Sequence, residues 1–222
     1  MQIEPIATFR SPLTTKFGIP RQSGLAKDLQ GRIVLEQKYN DPNALRGLDG
    51  FDYVWLIWGF SANKSQKETF HPTVRPPRLG GNERIGVFAS RSPFRPNNLG
   101  LSSVRIIAIE DNEIIVSGAD LMDGTPIYDI KPYIPYADAH PEARGGFTDD
   151  RRWDNLEVEF DPKVLSKISS SEAKELTEVL SLDPRPHYQN NPERVYGMPF
   201  HHHDVHFKVA GKVLTVIEIV DL

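Results

Sequence analysis

Arginine is concentrated in one stretch of this chain, Val74 to Ser103, which reads VRPPRLGGNERIGVFASRSPFRPNNLGLSS. It carries Arg75, Arg78, Arg84, Arg91 and Arg95 against a single acid, Glu83. Guanidinium groups offer rigid, bidentate donors to phosphate or carboxylate. The interleaved prolines fix the backbone, and the glycines let it approach a ligand closely. This combination predicts a shaped loop system for an anionic or nucleotide-like ligand. Within it, Arg91 and Arg95 flank Phe94, an arrangement suited to ion pairing and base stacking. The same residues would equally serve a rigid loop whose arginines tie neighbouring loops together.

Three further segments have chemistry-bearing residues: Pro20-Arg21-Gln22, Asp120 to Tyr133 (DLMDGTPIYDIKPY) and Asp183-Pro184-Arg185-Pro186. Asp123-Gly124 has turn chemistry, and Thr125-Pro126 leaves it extended. Such a turn either exposes backbone polar groups to a ligand or is a plain β-turn before a strand holding a buried Asp129–Lys131 network. The run His201-His202-His203 leads into an apolar strand. Consecutive strand residues point to opposite faces, so only His201 and His203 would act together, and no metal site is expected. Leu79-Gly80-Gly81-Asn82 lacks the Gly-Lys-Ser/Thr of a phosphate loop. No Gly-x-Ser-x-Gly is present either.

The elements that must position these groups read mostly as β structure. Ile3–Phe9, Arg32–Gln37, Tyr53–Phe60, Arg84–Ser90, Val104–Ile109, Glu113–Ala119 and Leu156–Phe160 are short apolar or alternating runs bounded by turn residues. Asp111-Asn112 predicts a hairpin turn. Few intervening segments have helical period, which predicts a mainly β fold, an antiparallel barrel or sandwich, rather than a parallel α/β sheet. Pro135 to Asn155 reads as a long loop. Ser169 and Glu172 match a capping box, and Leu176, Val179 and Leu180 fall on one helical face ended by Asp183-Pro184. A hairpin turning at Ala210-Gly211 completes a small α+β appendage. The division is expected at 1–163 and 164–222. The 222 residues contain no cysteine, which excludes disulfides, thiolate metal sites and cysteine nucleophiles and fits a cytoplasmic protein. No run is long enough for a membrane span, and no secretory signal is visible at the N-terminus. The net charge of −4 means that a nucleic-acid partner would have to meet a local basic patch.

VRPPRLGGN at 74–82, GVFASRSPFRPNNLGLS at 86–102 and DLMDGTPIYDIKPYIPYAD at 120–138 together resemble the TsaA-like family of β-barrel methyltransferases. FRSP at 9–12 and FGIPRQ at 17–22 fit the same pattern, and DPRPHY at 183–188 resembles the extra domain of the family's bacterial tRNA enzymes. The resemblance implies a single-sheeted antiparallel β-barrel, S-adenosylmethionine as methyl donor, and a homodimer. It implies N6-methylation of N6-threonylcarbamoyladenosine at position 37 of tRNA. Carried over by motif, the donor contacts are Pro20, Arg21, Gln22, Arg91, Leu101 and the turn Asp123, Gly124, Thr125 and Pro126. After the strand Tyr53–Phe60 relatives often place a His and a polar residue. Here Ser61 and Ala62 stand there, leaving backbone contacts to serve. Arg185, Tyr188 and Tyr196 match C-terminal positions tied to tRNA engagement or catalysis. Arg75, Arg78 and Arg95 remain as tRNA candidates.

Methyl transfer to a urea-type nitrogen needs collinear placement and removal of a proton from a poor nucleophile. Asp120, Asp123 and Asp129 are the carboxylates offered by motif, with Tyr188 and Tyr196 as alternatives. Two competing readings are a non-catalytic single-stranded RNA-binding module and a methyltransferase acting on a small molecule. The first would show no affinity for S-adenosylmethionine. The second would show no dependence on tRNA.

Overall fold

The computed structural model describes residues 2–62, 70–76, 83–111, 113–149, 154–186 and 191–222. Arg78, Tyr188 and the Leu79–Asn82 run lie outside them. Twelve strands and three α-helices are described. Strands β1 (Ala7–Arg10), β2 (Gln30–Leu35), β3 (Tyr53–Gly59), β6 (Leu99–Glu110), β7 (Glu113–Ser117) and β8 (Thr125–Pro132) close an antiparallel barrel in the order β1-β2-β7-β6-β3-β8. The expected single-sheeted barrel is therefore present. Alternation fills it: Ile33, Val54, Leu56, Trp58, Val104, Ile114, Val116 and Ile127 are buried inside, and intervening residues such as Leu101 point out. Two short strands, β4 (Thr73–Val74) and β5 (Ile85–Gly86), pair beside it.

Four strands form a second sheet ordered β10-β11-β12-β9: β9 (Glu157–Phe160), β10 (Tyr196–Phe200), β11 (His203–Ala210) and β12 (Val213–Asp221). β9 pairs parallel with β12 from Val213↔Glu157 to Val216↔Phe160. Residues 157–160, expected with the barrel, are hydrogen-bonded into the C-terminal sheet instead. Alternation in β9 marks a strand and says nothing of its partner. The loop expected over 135–155 includes α1 (Pro135–Asp138), whose Asp138 Oδ2 accepts from Ile134 N at 2.8 Å and Trp55 Nε1 at 2.9 Å. Helix α2 (Pro162–Leu165) precedes α3 (Ser170–Ser181). α3 starts at the expected capping box, with Ser169 Oγ accepting from Glu172 N and Glu172 Oε2 accepting from Ser169 N. Leu176, Val179 and Leu180, expected on one helical face, are buried together against the second sheet.

The two halves share a core. Leu13, Ala26 and Leu29, from the segment between β1 and β2, are buried in the cluster formed by α3 and the second sheet. Gly18 is part of this docking: its φ is +91°, and a Cβ there would meet Met198 Sδ at 2.2 Å. Asp28 ties the segment to α3, its amide donating to Glu178 Oε2 at 2.6 Å and its carboxylate pairing with Lys174 at 2.9 Å. The FGIPRQ segment is thus held between barrel and second sheet.

Candidate active site

A cavity of about 1870 Å³ opens between the 21–22 segment, β4, the 84–96 loop and the turn at 145–148. Its cationic lining is Arg21, Arg75, Arg84, Arg91 and Arg95. Four phenylalanines also line it, Phe70, Phe88, Phe94 and Phe147, and among the described residues no carboxylate does. On a chain of net charge −4, such a wall selects an anion. The rings of Phe70 and Phe88 stack with centroids 6.2 Å apart, and Phe88 is 71% exposed. Free aromatic faces beside guanidinium groups suit nucleobases.

The loop that presents them departs from the strand expected over 84–90. Only Ile85–Gly86 pairs, and Val87–Ala89 then forms a 3₁₀ turn that buries Val87 and leaves Phe88 outside. Ser90 Oγ donates to Val87 O at 2.9 Å, and Arg95 Nη1 donates to Ser90 O at 2.6 Å. Arg95, expected to meet tRNA, thus also clamps its own loop. Sequence periodicity missed Phe88 because a strand pattern and a turn that throws one apolar residue outward look alike over six residues.

Two predicted donor segments meet directly. Arg91 Nη1 donates to Gln22 Oε1 at 2.6 Å. Arg21 Nη2 reaches the carbonyl of Asp183 at 3.5 Å, joining the same segment to the DPRP motif. Asp183, the residue after the α3 C-cap Leu182, lies in the left-handed region, φ +51°, a conformation that costs a non-glycine residue about 1 kcal/mol or more. Its carboxylate grips Arg185 in a fork, Oδ1 to Nε at 2.8 Å and Oδ2 to Nη2 at 2.9 Å. Arg185 is largely buried, and the Asp183 carboxylate and then the Tyr196 hydroxyl hold its pKa up. The Tyr196 hydroxyl is itself buried beside this pair.

Asp120 lies within electrostatic reach of Arg91 but does not line the cavity. Trp58 Nε1 donates to Ser102 Oγ at 3.0 Å, and Ser102 Oγ donates to Asp120 Oδ1 at 2.5 Å. Burial pushes the Asp120 carboxyl up, against Ser102, its own amide, Arg91 and the Ser23 amide, which favour the anion. The other two aspartates are engaged elsewhere. Asp123 accepts from Ser11 N at 3.1 Å and pairs with Arg10 at 3.7 Å, fastening the 9–12 segment to the 123–126 turn. Gly124, φ +73°, completes that turn by donating to Phe9 O. Asp129 pairs with Lys131 at 2.9 Å on a half-exposed surface, not in the buried network expected. Ser61 and Ala62 follow the end of β3, and Leu101 is exposed on β6. Pro20, Ser61, Ala62, Leu101 and residues 123–126 do not line the cavity, nor do Arg185 and Tyr196.

A closed six-stranded antiparallel barrel beside a cavity lined by arginines and phenylalanines, with no acid among the described lining residues, defines a β-barrel protein with a basic, aromatic pocket. Comparison with known proteins gives the particular family. Residues 8–139 match the family model described as tRNA-methyltransferase O N-terminal domain, and residues 154–222 match the TrmO C-terminal domain. A tRNA (adenine(37)-N6)-methyltransferase of Escherichia coli K12 is 40% identical over 94% of this chain and 93% of its own length. A Pseudomonas aeruginosa protein described as a candidate S-adenosylmethionine-dependent methyltransferase is 39% identical over 92% of this chain and 91% of its own. The crystal structure of TrmO from P. aeruginosa superposes with a TM-score of 0.82 at 32% identity, covering 100% of this chain and 97% of that one. The chain belongs to the TrmO family of methyltransferases.

Proposed function

We propose that this protein transfers a methyl group from S-adenosylmethionine to N6 of N6-threonylcarbamoyladenosine at position 37 of tRNA. The observation that carries the reading is the cavity wall of five arginines and four phenylalanines, with no carboxylate among the described residues, joined through Arg91–Gln22 and Arg21–Asp183 to the family's motif segments. The threonyl group adds a carboxylate to the modified base, and a guanidinium matches it bidentately.

S-adenosylmethionine supplies an electrophilic methyl on a sulfonium. In this reading Pro20, Arg21, Gln22, Arg91, Leu101, the 123–126 turn and the Ser61–Ala62 backbone would hold it, Arg91 offering a guanidinium to its anionic group. Asp120 acts as a positioning residue: it holds the Ser23 amide and the charge of Arg91, so the 21–23 segment and the arginine keep one geometry. Arg75, Arg78, Arg95 and Arg185 engage tRNA. The acceptor nitrogen gains negative charge as its proton leaves. Fixed guanidinium groups stabilise that charge, while the proton itself passes to a separate acceptor. Tyr188 and Tyr196 remain the proton acceptors to test. A homodimer belongs to the same proposal, since Leu101 and Phe94 are apolar and more than half exposed beside the motifs. A cytoplasmic location does too. No described helix is long and apolar enough to cross a membrane.

The test is a transfer assay with labelled donor on tRNA with and without the threonylcarbamoyl group. Label should enter only the modified tRNA. Equal labelling of both would remove the threonylcarbamoyl specificity, and absence of donor binding in calorimetry would leave a non-catalytic RNA-binding protein.

A further inference from the structure

The histidine run lies at the turn between β10 and β11, among residues that do not line the cavity. Strand alternation does not separate these side chains. His201 has φ +53°, and only His203 has entered β11. The rings of His202 and His203 therefore lie on the same side, centroids 3.9 Å apart. Glu172, in the first turn of α3, reaches them. One donor atom from each of Glu172, His202 and His203 lies within 4.8 Å of the other two.

Two buried side-chain polar atoms nearby have no hydrogen-bond partner among the described residues. One is His203 Nδ1, in a side chain 4% exposed, which sits 2.9 Å from Asp221 Oδ1 but out of hydrogen-bonding line. The other is Glu175 Oε2, in a side chain 8% exposed, 3.6 Å from His201 Nε2. Buried polar atoms left unsatisfied are costly and call for an explanation. Glu172 is already oriented, since Oε2 accepts from the Ser169 amide.

We propose that Glu172, His202 and His203 bind one divalent zinc ion, with the Asp221 carboxylate at the edge of the set. Two imidazoles and a carboxylate form a common zinc donor set, and imidazole disfavours magnesium and calcium. Zinc bonds of about 2.0–2.2 Å require the donors to draw closer than 4.8 Å. The exposed His202 ring is free to supply part of that movement, and the Glu172 side chain on the helix start supplies the rest. The ion would fasten the start of α3 to the β10–β11 turn and the end of β12, where Leu222 N already donates to His202 O at 2.7 Å. Its role is structural, separate from methyl transfer.

Zinc titration by calorimetry, on full-length protein purified without a metal-affinity step and freed of metal with chelator, tests this. One ion per chain should bind at micromolar concentration or below and raise the melting temperature. Glu172→Gln keeps a capping-box side chain, and His202 is exposed, so neither Glu172→Gln nor His202→Ala threatens the fold. Each should weaken zinc binding about tenfold or more, while His201→Ala changes it less than about threefold. Absence of stoichiometric binding overturns the proposal. So does binding that survives Glu172→Gln but fails in His201→Ala, the mark of an adventitious histidine run.

Discussion

Asp120 receives its hydrogen bond through a directed chain, Trp58 to Ser102 to the carboxylate. The indole can only donate, so the Ser102 hydroxyl accepts from it and gives its proton to Asp120. An amide at 120 would face that hydroxyl with one acceptor and lose the charge opposite Arg91. Asp120→Asn should therefore weaken S-adenosylmethionine binding about tenfold and change kcat at saturating donor little. Equal donor affinity in calorimetry would remove the positioning role. Stability offers a second readout. Burial raises the Asp120 pKa, so the fold favours its neutral form. That contribution is complete below the ordinary carboxylate value of about 4 and is lost as pH rises through the raised value. Stability of Asp120→Asn relative to wild type should accordingly rise with pH above about 4. Asp183 makes a different point. Asparagine tolerates the left-handed backbone that Asp183 adopts, yet would leave Arg185 without its carboxylate. Asp183→Asn should lower tRNA methylation about tenfold while donor affinity stays within about twofold. A parallel fall in donor affinity would place Arg185 on the donor side.

Local chemistry made several elements legible in the sequence. The capping box at Ser169 and Glu172, the turn at Gly211 with φ +61°, and the alternation inside the barrel all depend on near neighbours. Pairing depends on remote ones, which is why the partner of β9 was not legible. A three-residue 3₁₀ turn also has no signature within an apolar run, and Phe88 was hidden for that reason. The β11–β12 hairpin carries a pH-dependent element. His206 lies between Glu218 and Asp204, each at 2.9 Å, and these carboxylates raise its pKa. Its stabilising charge is fully present below the ordinary histidine value of about 6.5 and is lost as pH rises through the raised one. His206→Gln should lower the melting temperature at pH 6, and the gap should close by pH 9. A gap independent of pH would mean that packing, not charge, is lost.

At the scale of the whole molecule, the segment bearing Pro20, Arg21 and Gln22 is framed by residues buried in the C-terminal core. Gln22 of this segment meets Arg91, but a linear division into two domains could not reveal that the segment is packed by both. A fragment of residues 1–153 would expose Leu13, Ala26 and Leu29. It should unfold at lower temperature and less cooperatively than the full chain, and lose donor affinity. A sharp transition at the full-chain temperature would show an autonomous barrel. For the same reason, loss of activity on truncation cannot separate tRNA recognition from folding, whereas Asp183→Asn can. The most direct test of the proposed reaction is nucleoside mass spectrometry of tRNA from cells lacking this protein. N6-methyl-N6-threonylcarbamoyladenosine should disappear, with unmethylated N6-threonylcarbamoyladenosine rising in its place. Unchanged levels of the methylated nucleoside would contradict it.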